Sequence, residues 1–324
     1  MATTNSTIEK IAPMFTDLLI KKIECLKTDW QKPWIASLEQ GLPRNIRGTL
    51  YNGGNVLMLL FYTEFMKFTL PVFLTFNQAK EEDLSVSKGA RSFPVYYWFK
   101  FVVHKETKKT IKYEEYRKLP ATEQENYKVI PQMKYYNVFN IDQTDFAGKY
   151  PERYERMKKG EQPEDYSDGM IYEALDELVY LQNWYCPIKV QYSDSAYYSP
   201  SSDHIVCPQR EQFPQGAEFY GTLLHEMAHS TGSPQRLNRT FGCFFGDALY
   251  AREELVAELT AALCGAFFGY AAVPQENNAA YLKHWLTKLK EEPAFLVEIL
   301  GDVNKAAKMI ADKVTEPVNE PAAA

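Results

Sequence analysis

Two histidines stand four residues apart in the run His225-Glu-Met-Ala-His229. Phe219, Leu223 and Leu224 precede them at helical spacing, and Gly232 and Pro234 follow, so the spacing predicts a helix over 217–230. On a helix, positions i and i+4 project from one face, so both imidazoles can close on one divalent ion. Glu226 is then placed to take a proton from a water activated by that ion and to deliver it to a leaving amine. The chemistry this pattern points to is metal-dependent hydrolysis.

A third ligand has to come from elsewhere. Position 235 is Gln, which excludes the version of the pattern that ends in a third histidine. Further along, Arg252-Glu-Glu-Leu-Val-Ala-Glu258 lies in a helix predicted over 250–270. Glu254 and Glu258 share one face of it. One of them can bind the ion while the other receives an N–H from a ligand histidine, and spacing alone does not rank them. Glu253 lies about 100° round the helix and is expected to face water. Acidic residues also favour the positive end of any helix, which is the plain alternative for this cluster. Tyr250, one turn before Glu254, can donate to the oxyanion of a tetrahedral intermediate or can simply pack. An imidazole–carboxylate set suits Zn²⁺, the expected ion, and accepts Mn²⁺, Co²⁺ or Ni²⁺ as well.

The length of 324 residues favours two domains. Their charges differ in sign. Residues 1–150 hold 21 Lys and Arg against 16 Asp and Glu, a balance of +5, while 151–324 hold 15 against 26, a balance of −11. The basic half is also rich in rings: Trp30, Lys32 and Trp34 cluster, as do Arg44, Arg47, Tyr51 and Asn55 around glycines, and Lys88 and Arg91 precede Tyr96, Tyr97 and Trp98. Cationic grooves with stacking rings are how single-stranded nucleic acid is held, although in a half-buried strand only every other ring faces outward. The five cysteines are widely spaced with no CxxC, as expected of reduced thiols. The N-terminal residues lack the features of a secretory signal, and no run approaches the ~20 apolar residues of a membrane helix, so a cytoplasmic protein without a membrane partner is expected. In the first half, helices are expected over about 6–28 and 55–67, and strands at 74–76, 93–104 and 134–141 with a charged excursion at 105–130. In the second, helices are expected over 170–183, 279–291 and 294–313, and strands at 188–192 and 204–207 flank a loop at 193–202. The domains are placed at 1–145 and 169–314, with a polar linker at 146–168 and a disordered tail at 315–324.

Several motifs in order give the chain a family resemblance. They are Trp30-Gln-Lys-Pro-Trp34, Tyr51-Asn-Gly-Gly-Asn55, Thr75-Phe-Asn-Gln-Ala-Lys80, Tyr136-Asn-Val-Phe-Asn140, Thr222-Leu-Leu-His-Glu-Met-Ala-His229, Arg236-Leu-Asn238 and Tyr250-Ala-Arg-Glu-Glu-Leu-Val-Ala-Glu258. The sequence resembles the antirestriction protein ArdC family. The resemblance implies an α+β protein of two domains: a single-stranded-DNA-binding domain, then a zincin-like metallopeptidase domain of the gluzincin type. It adds Lys80 to the expected DNA contacts. In gluzincins a ligand Glu is followed four residues later by an acidic residue that orients a ligand histidine, which implies Glu254 as ligand and Glu258 as its outer partner. The function expected is a DNA-associated metallopeptidase whose protein or peptide substrate the sequence does not name. The alternative is a non-catalytic coat on single-stranded DNA with a structural or vestigial metal; Glu226 favours the enzyme, because a structural site needs no base.

Overall fold

The structure, a computed structural model, describes residues 2–28, 33–35, 38, 40–159, 172–242, 248–270 and 282–316. Trp30, Lys32, Cys243 and most of the expected tail lie outside the described residues. The fold is α+β.

The N-terminal unit opens with the long helix α1 (Ala2–Thr28). Then follow β1 (Arg44–Asn45), α2 (Gly54–Met66), β2 (Val72–Leu74), α3 (Phe76–Glu81), β3 (Phe93–His104), β4 (Thr110–Ile111), α4 (Tyr113–Tyr116), α5 (Ala121–Gln124) and β5 (Tyr127–Asn140). The strands form one sheet in the order β1-β2-β5-β3-β4, parallel only between β1 and β2. β3 and β5 pair without a break from Phe93↔Val138 to His104↔Tyr127. β5 therefore starts seven residues before the expected returning strand. In its first half, Tyr127-Lys-Val-Ile-Pro-Gln-Met133, most positions are only partly buried and Val129, Ile130 and Pro131 stand in a row, so it lacks the one-sided alternation that betrays a strand.

The residues after β5 form α6 (Phe146–Lys149) and α7 (Pro151–Lys158). Phe146, Tyr150, Tyr154 and Met157 recur at helical spacing and pack on a small apolar cluster around Leu70, Val72 and Ile141. Tyr154 donates its hydroxyl to Asp142 at 2.7 Å, and Arg153 pairs with Glu82 at 2.6 Å. Residues 146–159, expected as linker, are thus folded against the first sheet.

The C-terminal unit contains α8 (Glu173–Tyr180), β6 (Ile188–Gln191), β7 (Tyr197–Ser199), β8 (His204–Pro208), α9 (Gly216–Thr231), α10 (Ala248–Phe268), α11 (Leu282–Glu291) and α12 (Ala294–Val314). Its sheet runs β6-β8-β7, with β7 antiparallel at one edge. β7 falls inside the expected loop, since three residues are too few to show a period of two. α9 packs against β7 and β8, and α10 and α12 pack against α9. α10 is buried on every side from Glu253 to Ala266.

α1 ties the two units together. Ile11, Phe15, Leu19 and Ile23 are fully buried, and the helix packs on β5, α11 and α12. Thr16 donates its hydroxyl to the Pro293 carbonyl at 3.1 Å. Apart from the small cluster around Leu70, Val72 and Ile141, most buried apolar side chains of the two units join in one core. At the joint, Gly53 has φ +56°, and a Cβ there would lie 2.5 Å from Asn304 Oδ1 of α12, so both backbone and space call for glycine. Among the described residues, Cys25, Cys186, Cys207 and Cys264 form no disulfide. Among the described residues no helix is long and apolar enough to cross a membrane.

Candidate functional site

His225 and His229 point from one face of α9 with their Nε2 atoms 3.0 Å apart. Glu254 of α10 faces both: Oε2 is 3.5 Å from His225 Nε2 and Oε1 is 3.5 Å from His229 Nε2. An ion bonded at about 2.0–2.1 Å to a tetrahedral ligand set has ligands about 3.3–3.4 Å apart. The spacing of these two imidazoles and one carboxylate therefore fits a divalent metal. Glu226 is buried beside the triad and accepts a hydrogen bond from the Tyr198 backbone N–H of β7. Tyr250 donates its hydroxyl to Glu254.

The outward Nδ1 atoms of the two imidazoles each face another carboxylate. His225 Nδ1 lies 3.6 Å from Glu258 Oε1, and His229 Nδ1 lies 3.3 Å from Glu253 Oε1. Glu258 in turn accepts from the Trp34 indole at 2.7 Å. Glu253 is not turned to water, as its place on the helix suggests, but 3% exposed. It is held by Arg239, whose Nε and Nη2 reach its two oxygens at 2.9 and 2.6 Å. Arg239 also donates to Thr231 Oγ1 and the Ala228 carbonyl, both at 2.8 Å, which fastens α10 to the end of α9. The cause is the burial of α10 on all sides, which leaves it no water-facing stripe. A cation just past the first helix and an acid facing it on the second were the available signal.

Four carboxylates and two imidazoles share this volume, and their charges set one another. Burial opposes charge on His225, but Glu254, Glu258 and Glu226 outweigh it, and its pKa is pushed up to about 9. Burial also opposes ionising Glu254; the imidazoles of His229 and His225 and the Tyr250 hydroxyl outweigh it and carry its pKa down to about 2. For Glu226 burial wins, against the pull of both imidazoles, and its carboxyl is held above the ordinary range. Metal ligands must be deprotonated, so an ion held here would have to displace a proton from His225.

The residues expected to touch DNA do not all reach a surface. Trp34 is 1% exposed and bonded to Glu258, so it cannot stack on a base. Asn55 is buried, with Nδ2 donating to the Tyr96 carbonyl at 2.7 Å and Oδ1 accepting from the Tyr96 N–H at 3.1 Å. Both amide ends are thereby spent on fixing α2 to β3. Arg44 is half-buried and donates to the Gln40 carbonyl. Lys88 and Arg91 are exposed in the turn before β3, and Lys80 is exposed on α3 with its ammonium 5.0 Å from the Phe76 ring centre.

Arg47 and Tyr51 do converge. They line an open polar cleft with Asn45, Asn77, Gln78 and Tyr136, and Arg47 pairs with Glu81 at its rim. The hydroxyls of Tyr51 and Tyr136 hydrogen-bond to each other, and burial raises the pKa of both. From Tyr136 a strip of rings continues along the hairpin. Tyr97 lies 6.1 Å from Tyr136 and 6.1 Å from Phe99, and the Lys134 ammonium sits 4.7 Å from the Phe99 ring centre. Tyr97 is 46% and Tyr136 40% exposed. The run of rings in β3 and β5 is plain in the sequence, but the pairings Tyr97↔Lys134 and Val95↔Tyr136 decide which of them share this face.

Residues 9–139 match the family model of the N-terminal domain of the anti-restriction factor ArdC, and residues 174–299 that of a zincin-like metallopeptidase. Two DNA primases TraC of Escherichia coli are 28% and 29% identical over 94% and 89% of the chain, which spans only 28% and 19% of their lengths. The uncharacterized protein y4eC of Sinorhizobium fredii is 26% identical over 89% of this chain and 87% of its own. The crystal structure of antirestriction ArdC from plasmid R388 is 28% identical with a TM-score of 0.65. Its metal-free form is covered over 97% of its length and its Mn(II)-bound form over 98%, each against 94% of this chain. The chain thus joins an ArdC-type N-terminal domain to a zincin-like metallopeptidase domain, and is similar to a solved antirestriction ArdC over nearly its whole length.

Proposed function

We propose that the chain is a DNA-associated metallopeptidase that binds single-stranded DNA through its N-terminal unit and acts in the cytoplasm on protein near that DNA. The observation that carries the reading is the triad of His225, His229 and Glu254 at ligand spacing with Glu226 buried beside it. A divalent metal in the triad, zinc foremost, supplies Lewis acidity that brings the pKa of water toward neutrality. Glu226 takes the proton of the attacking water and hands it to the leaving nitrogen. Its burial raises its proton affinity, which suits it to receive that proton. The Tyr198 N–H keeps its carboxylate in place. An extended peptide can align along β7, an edge strand among the described residues, beside Glu226, by strand addition. Tyr250 is the candidate oxyanion donor, once its hydroxyl leaves Glu254.

Metal titration of single variants tests the ligand assignment. Glu254→Ala is expected to weaken binding by more than the ~10–100-fold typical of an outer partner, and Glu258→Ala to fall within that range. If Glu258→Ala loses the metal while Glu254→Ala keeps it, the two roles are exchanged.

The single strand is proposed to follow the strip of Tyr51, Tyr136, Tyr97 and Phe99, with Arg47 and Lys134 near its phosphates. Only unpaired bases can stack there, so the full chain should prefer single strands to duplex. Tyr97→Ala and Tyr136→Ala should each weaken binding by about 1–3 kcal/mol. Affinity should fall with salt at a log–log slope of about −0.7 per phosphate contacted. Equal affinity for duplex and single strands in a competition assay sinks this part of the reading.

A further inference from the structure

Trp34 belongs to the N-terminal unit, yet its side chain ends at the metal centre. The ring is buried against Phe61 of α2, and Nε1–H donates to Glu258 Oε2 at 2.7 Å. Glu258 is 2% exposed, and its other oxygen faces His225 Nδ1 at 3.6 Å. His225 Nδ1 is itself buried with no hydrogen bond in the structure. The line therefore runs from an indole of one unit, through a carboxylate of the other, to an imidazole whose far nitrogen is in the triad.

The chemistry of each member gives the line a direction. An indole N–H can only donate, so it occupies one carboxylate oxygen and leaves the other for the imidazole. A buried carboxylate is costly unless its oxygens are bonded, so the donor that satisfies Oε2 also limits how Glu258 can turn. The carboxylate that faces a ligand imidazole sets its tautomer and ring orientation. Packing needs the bulk of the indole but not its polar N–H, and that N–H is aimed at Glu258.

We propose that Trp34 is a positioning residue of the metal centre: the N-terminal unit supplies the donor that orients Glu258 and, through it, His225. The zincin-like unit then does not hold its metal ligands in register by itself. The inference rests on the reading of His225, His229 and Glu254 as metal ligands.

The test uses the full chain, stripped with a chelator and titrated with Co²⁺, whose visible bands report ligand geometry. Trp34→Phe keeps a ring and removes the donor. It should raise the Co²⁺ dissociation constant about tenfold, the low end of the range for groups outside the ligand shell, and should alter the visible bands. Glu258→Gln should weaken binding too, and adding Trp34→Phe to it should cost less than about a further twofold, because both changes break one line. A lowered melting temperature with unchanged affinity and bands would mean packing only and overturn the proposal. A measurement on the wild type guards against a variant that does not fold. The Trp34 indole N–H resonance should shift on Zn²⁺ addition, and no shift overturns the proposal. Failure of the wild type to take up Co²⁺ overturns the ligand reading and this inference together. Uptake that Glu254→Ala abolishes and Trp34→Phe leaves untouched overturns this inference alone.

Discussion

Glu226→Gln is expected to lower peptide hydrolysis by at least ~10²–10⁴-fold, the range spanned by general acid–base catalysis, while metal and DNA affinity change little. The amide has the size of the carboxylate and can still accept the Tyr198 N–H, so the local structure should hold. What it lacks is a basic oxygen. A buried carboxylate above the ordinary pKa range binds a proton readily, and an amide at the same place does not. The measurement is peptide release from metal-loaded wild type and variant, with DNA-bound proteins among the substrates. A variant that cuts at the wild-type rate removes Glu226 from the mechanism. If neither protein cuts anything while both coat single strands, the non-catalytic reading takes its place.

Arg239→Met is expected to destabilise the metal-free protein by about 3–5 kcal/mol, because it removes the guanidinium that pairs with both oxygens of the buried Glu253. Side-chain exposure at the pair is 3% and 4%, so screening by water is slight. The sign of the pH dependence follows from the same contacts. In the wild type burial works to raise the Glu253 pKa, but Arg239 and His229 outweigh it and hold the value below the ordinary 4.5. The pair therefore adds stability above pH 4.5, and this is lost as pH falls through the folded-state value. Without Arg239 only His229 opposes the burial cost, so the folded-state pKa rises. The variant's deficit should then grow as pH climbs past 4.5 and shrink in acid. Denaturant melts at pH 4 and pH 7 with a chelator present check both points. Arg239→Met combined with Glu253→Leu should recover much of the loss, since apolar residues can replace a buried pair at little cost. A single variant as stable as wild type at pH 7 would show the pair to be dispensable.

Spacing along the chain determined what local geometry can determine. His225 and His229 at i and i+4 share a helical face whatever packs around them, and so do Glu254 and Glu258, and α9 and α10 appear within two residues of their expected bounds. β3 was legible in full because Phe93 to His104 is a dense run of β-formers. What spacing does not carry is the identity of the surface each face meets. Glu253 reads as solvent-facing on an isolated helix, but α10 is enclosed on all sides and the side chain meets Arg239. Trp34 and Asn55 read as part of a basic, aromatic surface, because composition counts residues without knowing their depth. Packing puts Trp34 on Glu258 and Asn55 on the Tyr96 backbone. Tyr97 and Tyr136 become neighbours only through the register of β3 on β5, and a one-residue slip would send one of them to the opposite face. The periodicity of a segment belongs to that segment alone, whereas the depth and partners of a side chain depend on elements far along the chain, 224 residues away for Trp34 and Glu258, and only the folded chain brings those together.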